Sequence, residues 1–399
     1  MSTTSSRAAR WSRAAAALLA CVGLIGAAPS PRPTSSAPQP VTGEVTADGA
    51  PLLSAATGRY RDTVPGSDVV KHYQVRRTIP GSTVYIGVSG RRDPDADEAQ
   101  LDVRLETLDG HSCDSDDTWE ESGQPRWMLT TGLSTWATDA EARRRCQEAD
   151  LLVLRIDQYT DDDDFAGTPM DITVNEEPPL ARSRSTPAAA PTTPPPWSTM
   201  ATARLQQNRS GATTPADAPT VTPGLYRSSI APGELLFYRV EVGWGRRLQA
   251  HLRVRPHRGT LAEQLDDDQS IGVQLITPSG ADGGASASGQ SATSLDPEAT
   301  VTAYEWTWPV VYRARESQEW DARAASVAGG YLVAVTLADD EEGERYRVPF
   351  ELQIGLQGTA SGQEPTYADG RRPIGPAWPA RPSAHEVEGD RVAPERGTA

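Results

Sequence analysis

The chain has 399 residues, 54 acidic against 38 basic side chains and a formal net charge of -16. That surplus of negative charge repels phosphate backbones and excludes nucleic acid as a partner class. The three cysteines and five histidines include neither the cysteine pairs of a zinc site nor the H-E-x-x-H of a zinc peptidase.

At the N-terminus, Arg7, Arg10 and Arg13 precede an apolar run from Ala14 to Ala28, followed by Pro and Ser. This is the anatomy of an export signal, with residues 1–28 removed after Ala28, and the run is too short for an ordinary membrane span. Cys21, in "LLAC", resembles a lipobox and offers lipid anchoring as the alternative. The apolar run continues beyond it, so free secretion is the preferred reading. Residues 29–49, rich in Pro, Ser and Thr, read as a disordered spacer.

Residues 50–178 form the first segment able to hold a core. It opens on "GRYRDTVPGSDVVKHYQV", where β-branched and aromatic residues alternate around Pro65-Gly66, and this predicts a hairpin. The alternating "STVYIGVSG" from Ser82 predicts a further strand. Cys113 and Cys146, the pair left after signal removal, are expected to be joined in an oxidising compartment. A polar, alanine-rich stretch, "TDAEARRRCQEAD", predicts one or two helical turns before the closing strands "EADLLVLRIDQY" and "MDITV".

Residues 179–218, centred on "TPAAAPTTPPPWS", read as an extended Pro/Thr/Ala-rich linker. Residues 219–357 then repeat the first segment. Tyr60 answers Tyr226, Pro65-Gly66 answers Pro232-Gly233, and Tyr73-x-Val75 answers Tyr238-x-Val240. The turn-to-tyrosine spacings differ by two residues, which preserves the strand face on which each side chain points. "SQEWDARAASVAG" and "GGYLVAVTLAD" likewise match the helical stretch and closing strand of the first copy. Residues 358–399 read as a disordered tail. The fold class expected is all-β: two tandem antiparallel, jelly-roll-like β-sandwich domains joined by the linker, each folding alone.

The opening G-x-Y with its Pro-Gly turn, together with "GGYLVAV" near the close, resembles the bacterial pre-peptidase C-terminal (PPC) domain. That resemblance is clearest over residues 224–242 and 329–337; in the first copy Asp150 and Leu151 stand where the family has Gly-Tyr. It implies a β-sandwich appended to secreted or cell-surface proteins, of actinobacterial type, that is non-catalytic and aids stability or binding.

For chemistry the sequence offers acidic clusters and tryptophans. Asp161, Asp162, Asp163 and Asp164, and likewise Asp266, Asp267 and Asp268, fall in turns and are candidate calcium ligands, against the plainer reading of solvated loops. "DPDADEAQLD" from Asp93 is not an EF-hand, because Glu98 and Arg104 replace the required Gly and Glu. Tryptophans stand at 119, 127 and 136 in the first copy and at 244, 306, 308 and 320 in the second. Trp306 and Trp308, two apart, are the candidate sugar-stacking pair, weighed against core packing. No catalytic residue and no cofactor other than calcium is expected. The leading reading is an exported, non-enzymatic binding or scaffold protein of the cell envelope, partnered by an envelope protein or polysaccharide. Its alternatives are a cell-wall carbohydrate-binding protein and a divergent secreted hydrolase.

Overall fold

A computed structural model describes residues 37–378, apart from 92–97, 122–127, 159–164, 182–188, 201–204, 266–268, 286–289, 340–345 and 360–363. The first module runs through β1 (Gln39–Pro40), β2 (Leu52–Ser54), β3 (Arg59–Thr63), β4 (Lys71–Arg76), β5 (Thr83–Gly90), β6 (Glu98–Thr107), β7 (Ser112–Glu121), β8 (Leu129–Ser134), α1 (Ala140–Glu148), β9 (Leu151–Asp157) and β10 (Pro169–Glu177). Its strands form two five-stranded sheets, ordered β1-β3-β10-β5-β8 and β2-β4-β9-β6-β7. Alternation buries one side of each strand: in β3 Tyr60 and Asp62 point inward while Arg61 and Thr63 face out. Tyr60, Leu101, Leu154, Phe165 and Ile172 meet in one core.

The second module repeats the plan with β11 (Leu205–Asn208), β12 (Gly224–Ile230), β13 (Leu235–Val242), β14 (Arg246–Val254), α2 (Thr260–Gln264), β15 (Ser270–Ile276), β16 (Ala292–Ser294), β17 (Val301–Trp306), α3 (Trp320–Ala324), β18 (Gly329–Leu337) and β19 (Val348–Gly358). The sheet β11-β12-β19-β14-β17 has the order of its counterpart, and β13-β18-β15-β16 lies opposite. An isolated parallel bridge between Thr220 and Arg239 takes the place of the β2–β4 pair. Tyr226, Tyr238, Leu252, Tyr331 and Phe350 anchor the core. The all-β sandwich class expected from the sequence is therefore observed.

The Pro-Gly turns are not hairpins. β3 pairs with β10, while β4 pairs with β9 in the opposite sheet, and β12 and β13 part in the same way. Each turn carries the chain across the core, so that Tyr60 and Tyr73 face one another's layer from different sheets. Alternation reports which face is buried, and it is identical for a hairpin and for such a crossing.

The described parts of the segments expected to be spacer, linker and tail carry order. Residues 39–40 pair in parallel with β3, and Glu44 bridges His72. In the linker, Ala181 N–H donates to Thr366 O at 2.8 Å. In the tail, Ile374 exchanges two 2.9 Å backbone hydrogen bonds with Glu176, and Ala377 N–H donates to Asn175 Oδ1 at 2.8 Å.

The modules also share an interface, in place of the expected separation. Met128 and Gln274 exchange two 3.1 Å hydrogen bonds, and Thr130 Oγ1 donates to Gly280 O. Two glycines of the first module permit the approach: a Cβ on Gly132 would lie 2.6 Å from Ala281 Cβ, and one on Gly87 2.7 Å from Ser279 O. Among the described residues no helix is long and apolar enough to cross a membrane.

Candidate functional site: the cleft between the modules

β8 is an edge strand, and the loop at Ser279 to Ala281 presses on its middle. Each end of this contact opens into a cavity. The larger, about 270 Å³, lies past Ser134 and takes Trp136, Ser134 and Asp114 from the first module with Arg315, Trp320 and Arg323 from the second. Local chemistry holds the first wall. Asp139 Oδ1 caps α1 by accepting from the N–H groups of Glu141 (3.0 Å) and Ala142 (2.8 Å). The expected Cys113–Cys146 disulfide is present and ties α1 to β7.

The second wall is fixed by a buried ion pair. Glu177, without solvent exposure, accepts from Arg315 Nη1 at 2.7 Å, from Tyr85 OH at 3.0 Å and from Tyr367 OH at 2.7 Å. Arg315 also donates to Tyr312 O at 2.7 Å, and its guanidinium lies 3.5 Å from the Tyr312 ring centroid. Burial opposes the Arg315 charge most, but Glu177, Tyr85 and Tyr312 together outweigh it and raise the guanidinium pKa. With its lone pairs and protons engaged, the pair escapes the cost of an unpaired buried charge. It joins both modules and the tail at one point.

Two cations lie near the Trp136 ring, Arg143 at 4.9 Å and Arg315 at 5.2 Å from its centroid, and its Nε1 has no hydrogen-bond partner among the described residues. The Arg323 guanidinium lies 5.1 Å from the Trp320 ring. Burial pushes the Asp114 carboxyl up to about 6, against the 2.8 Å hydrogen bond it accepts from Ser134 N–H. Asp116 nearby is pushed up to about 7 by burial and by the charges of Asp114 and Asp117. Indole faces, guanidinium donors and carboxylate acceptors thus line one concave wall, which suits a polar ligand with apolar patches.

The smaller cavity, about 190 Å³, lies at the Met128 end. There Trp119, 63% exposed, faces Asp282 and Glu305 of the second module. Glu305 Oε2 accepts from Leu275 N–H and Asp282 Oδ1 from Gly284 N–H, each at 2.9 Å. Gly284 leaves room for both carboxylates, since a Cβ there would collide with Glu305 Oε1 and lie 3.3 Å from Asp282 Oδ1. Burial raises the Glu305 carboxyl pKa, and the charge of the exposed Asp282 adds to the effect.

Of the residues singled out in the sequence, Trp306 and Trp308 are each only 2% exposed and form no open stacking platform. Trp306 ends β17 beneath the linker, and Trp308 packs with Ala322 and Ala325 beyond the strand. Packing, the plainer reading, holds for both. The calcium candidates at 161–164 and 266–268 lie outside the described residues; among those described, no group of three or more His, Cys, Asp or Glu side chains is placed to hold a metal ion. The sequence reading missed Glu177, Arg315, Arg323, Asp282 and Glu305. Their one visible signal was the wealth of tryptophan around them.

No family model and no curated protein matches the chain. Solved structures similar to parts of it include the periplasmic g-type lysozyme inhibitor PliG of Aeromonas hydrophila, at 12% identity over 35% of this chain and 97% of that one, with a TM-score of 0.17. The tandem CBM22-1-CBM22-2 domain of Paenibacillus barcinonensis Xyn10C is 11% identical over 79% and 91%, TM-score 0.20. The ANX2 ectodomain of Arabidopsis thaliana is 9% identical over 77% and 85%, TM-score 0.22. Likenesses at these scores carry no argument about what this chain binds.

Proposed function

We propose that the chain is an exported, non-catalytic binding protein of the cell envelope, built from two PPC-like sandwiches, whose ligand is a polysaccharide held in the cleft between them. The carrying observation is that Trp136 and Trp320, one from each module, line a single cavity with Asp114 and Arg323. Indole faces stack on the apolar faces of sugar rings, and charged groups beside them bind hydroxyls strongly. The test is retention of the signal-free chain on insoluble peptidoglycan and chitin. Trp320→Ala and Arg323→Ala should each weaken retention about tenfold or more, as truncated anchor residues do. Retention untouched by both variants refutes the assignment of the cleft.

One observation favours a second reading, a divergent hydrolase: the Asp282 and Glu305 carboxylates crowd one another beside exposed Trp119. A proton-holding acid beside a second carboxylate is the equipment of acid–base hydrolysis. Turnover of glycoside, ester or peptide substrates that Glu305→Gln abolishes would establish that reading instead.

A further inference from the structure

The linker crosses the outward face of the sheet β11-β12-β19-β14-β17 in a regular way. Residues 193, 196 and 199 are exposed, while 194, 195, 197, 198 and 200 are partly covered, a period of three. Three residues per turn is the period of the polyproline II helix, and Pro194, Pro195 and Pro196 favour that conformation. The face reads the segment at the same period. Pro195 O accepts from Trp306 Nε1 at 2.9 Å and from Arg247 Nη1 at 3.1 Å. Three residues on, Ser198 O accepts from Gln249 Nε2 at 3.2 Å and Ser198 Oγ from Arg247 Nη2 at 2.8 Å. Trp197 lies 4.9 Å from the Tyr304 ring, 5.7 Å from Trp306 and 6.2 Å from His251. Three residues further, Met200 fills the gap left by Gly355, where a Cβ would come within 2.5 Å of its sulfur.

The described linker residues leave part of this face unsatisfied. Gln249 is fully buried, and its Oε1 has no hydrogen-bond partner among the described residues. The three prolines supply no N–H to it. A cavity of about 180 Å³ remains beside Trp197 and Met200, bordered by Leu225, His251, Arg253 and Gln353.

We propose that this face is a docking groove for an extended, proline-rich peptide carrying an aromatic residue and, three positions later, an apolar one, and that residues 195–200 are its occupant in cis. Aromatic-lined grooves with donors aimed at peptide carbonyls are a general solution to binding a preformed polyproline helix. A tethered occupant competes at an effective concentration on the order of millimolar, so the intact chain resists peptides added in trans. An incoming peptide with an N–H for Gln249 and bulk for the remaining cavity is a better occupant than the linker.

The experiment uses the full chain and a labelled synthetic peptide of residues 191–200. A Trp197→Ala, Met200→Ala variant should bind the peptide about tenfold or more tightly than the unaltered chain, because its competitor is disabled. Adding Tyr304→Ala should remove that gain. If the double variant does not fold, as judged by circular dichroism, Met200→Ala alone provides the comparison. A folded variant that takes up the peptide no better than the unaltered chain overturns the proposal, as does one that gains retention on glycan without binding peptide.

Discussion

Glu177 shows what a single buried carboxylate must do to be tolerated. Its oxygens face Arg315, Tyr85 and Tyr367, so each partner removed leaves charge unanswered in a solvent-free site. Glu177→Gln should therefore cost about 3–5 kcal/mol in urea unfolding, whereas Glu177→Gln with Arg315→Met should cost less than the single change. An additive pair would show that the two groups do not interact. Asp114 and Asp116 make a pH prediction of definite sign. Burial lifts them from 3.8 to about 6 and about 7, so across that window the folded chain holds more protons than the unfolded one. Stability from this source is greatest at the acid end and is lost as pH rises through the window. Glu351 acts oppositely: burial raises it, but hydrogen bonds from Arg255, Arg253 and Arg227 prevail and hold it at about 2, so its contribution is lost only in stronger acid. The melting temperature should be higher near pH 5 than near pH 8, and Asp116→Asn should shrink that difference. A flat profile in both proteins would contradict the assigned burial.

At the scale of elements, the repeat was legible because both copies solve the same local problem. Tyr60 OH accepts from Ser54 N–H at 2.8 Å, and Tyr226 OH donates to Thr222 O at 2.6 Å, so each ring is buried while its hydroxyl pins the chain just upstream. Two of the short helices, α1 and α3, were legible too, from their alanine-rich polar stretches, whereas α2 was not. The path of the Pro-Gly turns was not, since alternation says nothing about which strand lies alongside. Nor did composition report the tail, because its order comes from the partner it meets. Tyr367 reaches Glu177, Ile374 pairs with Glu176, and Ala377 O accepts from Gly330 N–H at 3.3 Å, so one short segment touches both modules. Truncation after Thr359 should lower the melting temperature and expose the β10 edge to faster amide exchange at Glu176. Unchanged exchange there would mean that the tail does not lie on β10 in solution.

For the whole molecule, a proline-rich linker suggested two beads without contact, whereas the modules touch, for a reason no local pattern carries. Coupling depends on the absence of side chains at Gly87 and Gly132, and a glycine in a strand looks alike whether it faces solvent or another module's backbone. The cleft was illegible on the same account: Trp136 and Trp320 belong to different sandwiches, and only the docking of the two puts them in one cavity. Gly132→Val tests this dependence. Its side chain would collide with Ala281, where a bare Cβ already stands 2.6 Å from both the Cβ and the backbone nitrogen. Overpacking of this kind costs about 1–3 kcal/mol, and the strain is relieved if the modules separate, because β8 is an edge strand and each sandwich keeps its own core. The unaltered chain should melt in one calorimetric transition and the variant in two. Polysaccharide retention should fall in the variant as far as in Trp320→Ala, since pulling the walls apart is equivalent to removing one of them. If the variant melts in two steps yet binds fully, the ligand site belongs to a single module and the cleft is only a seam.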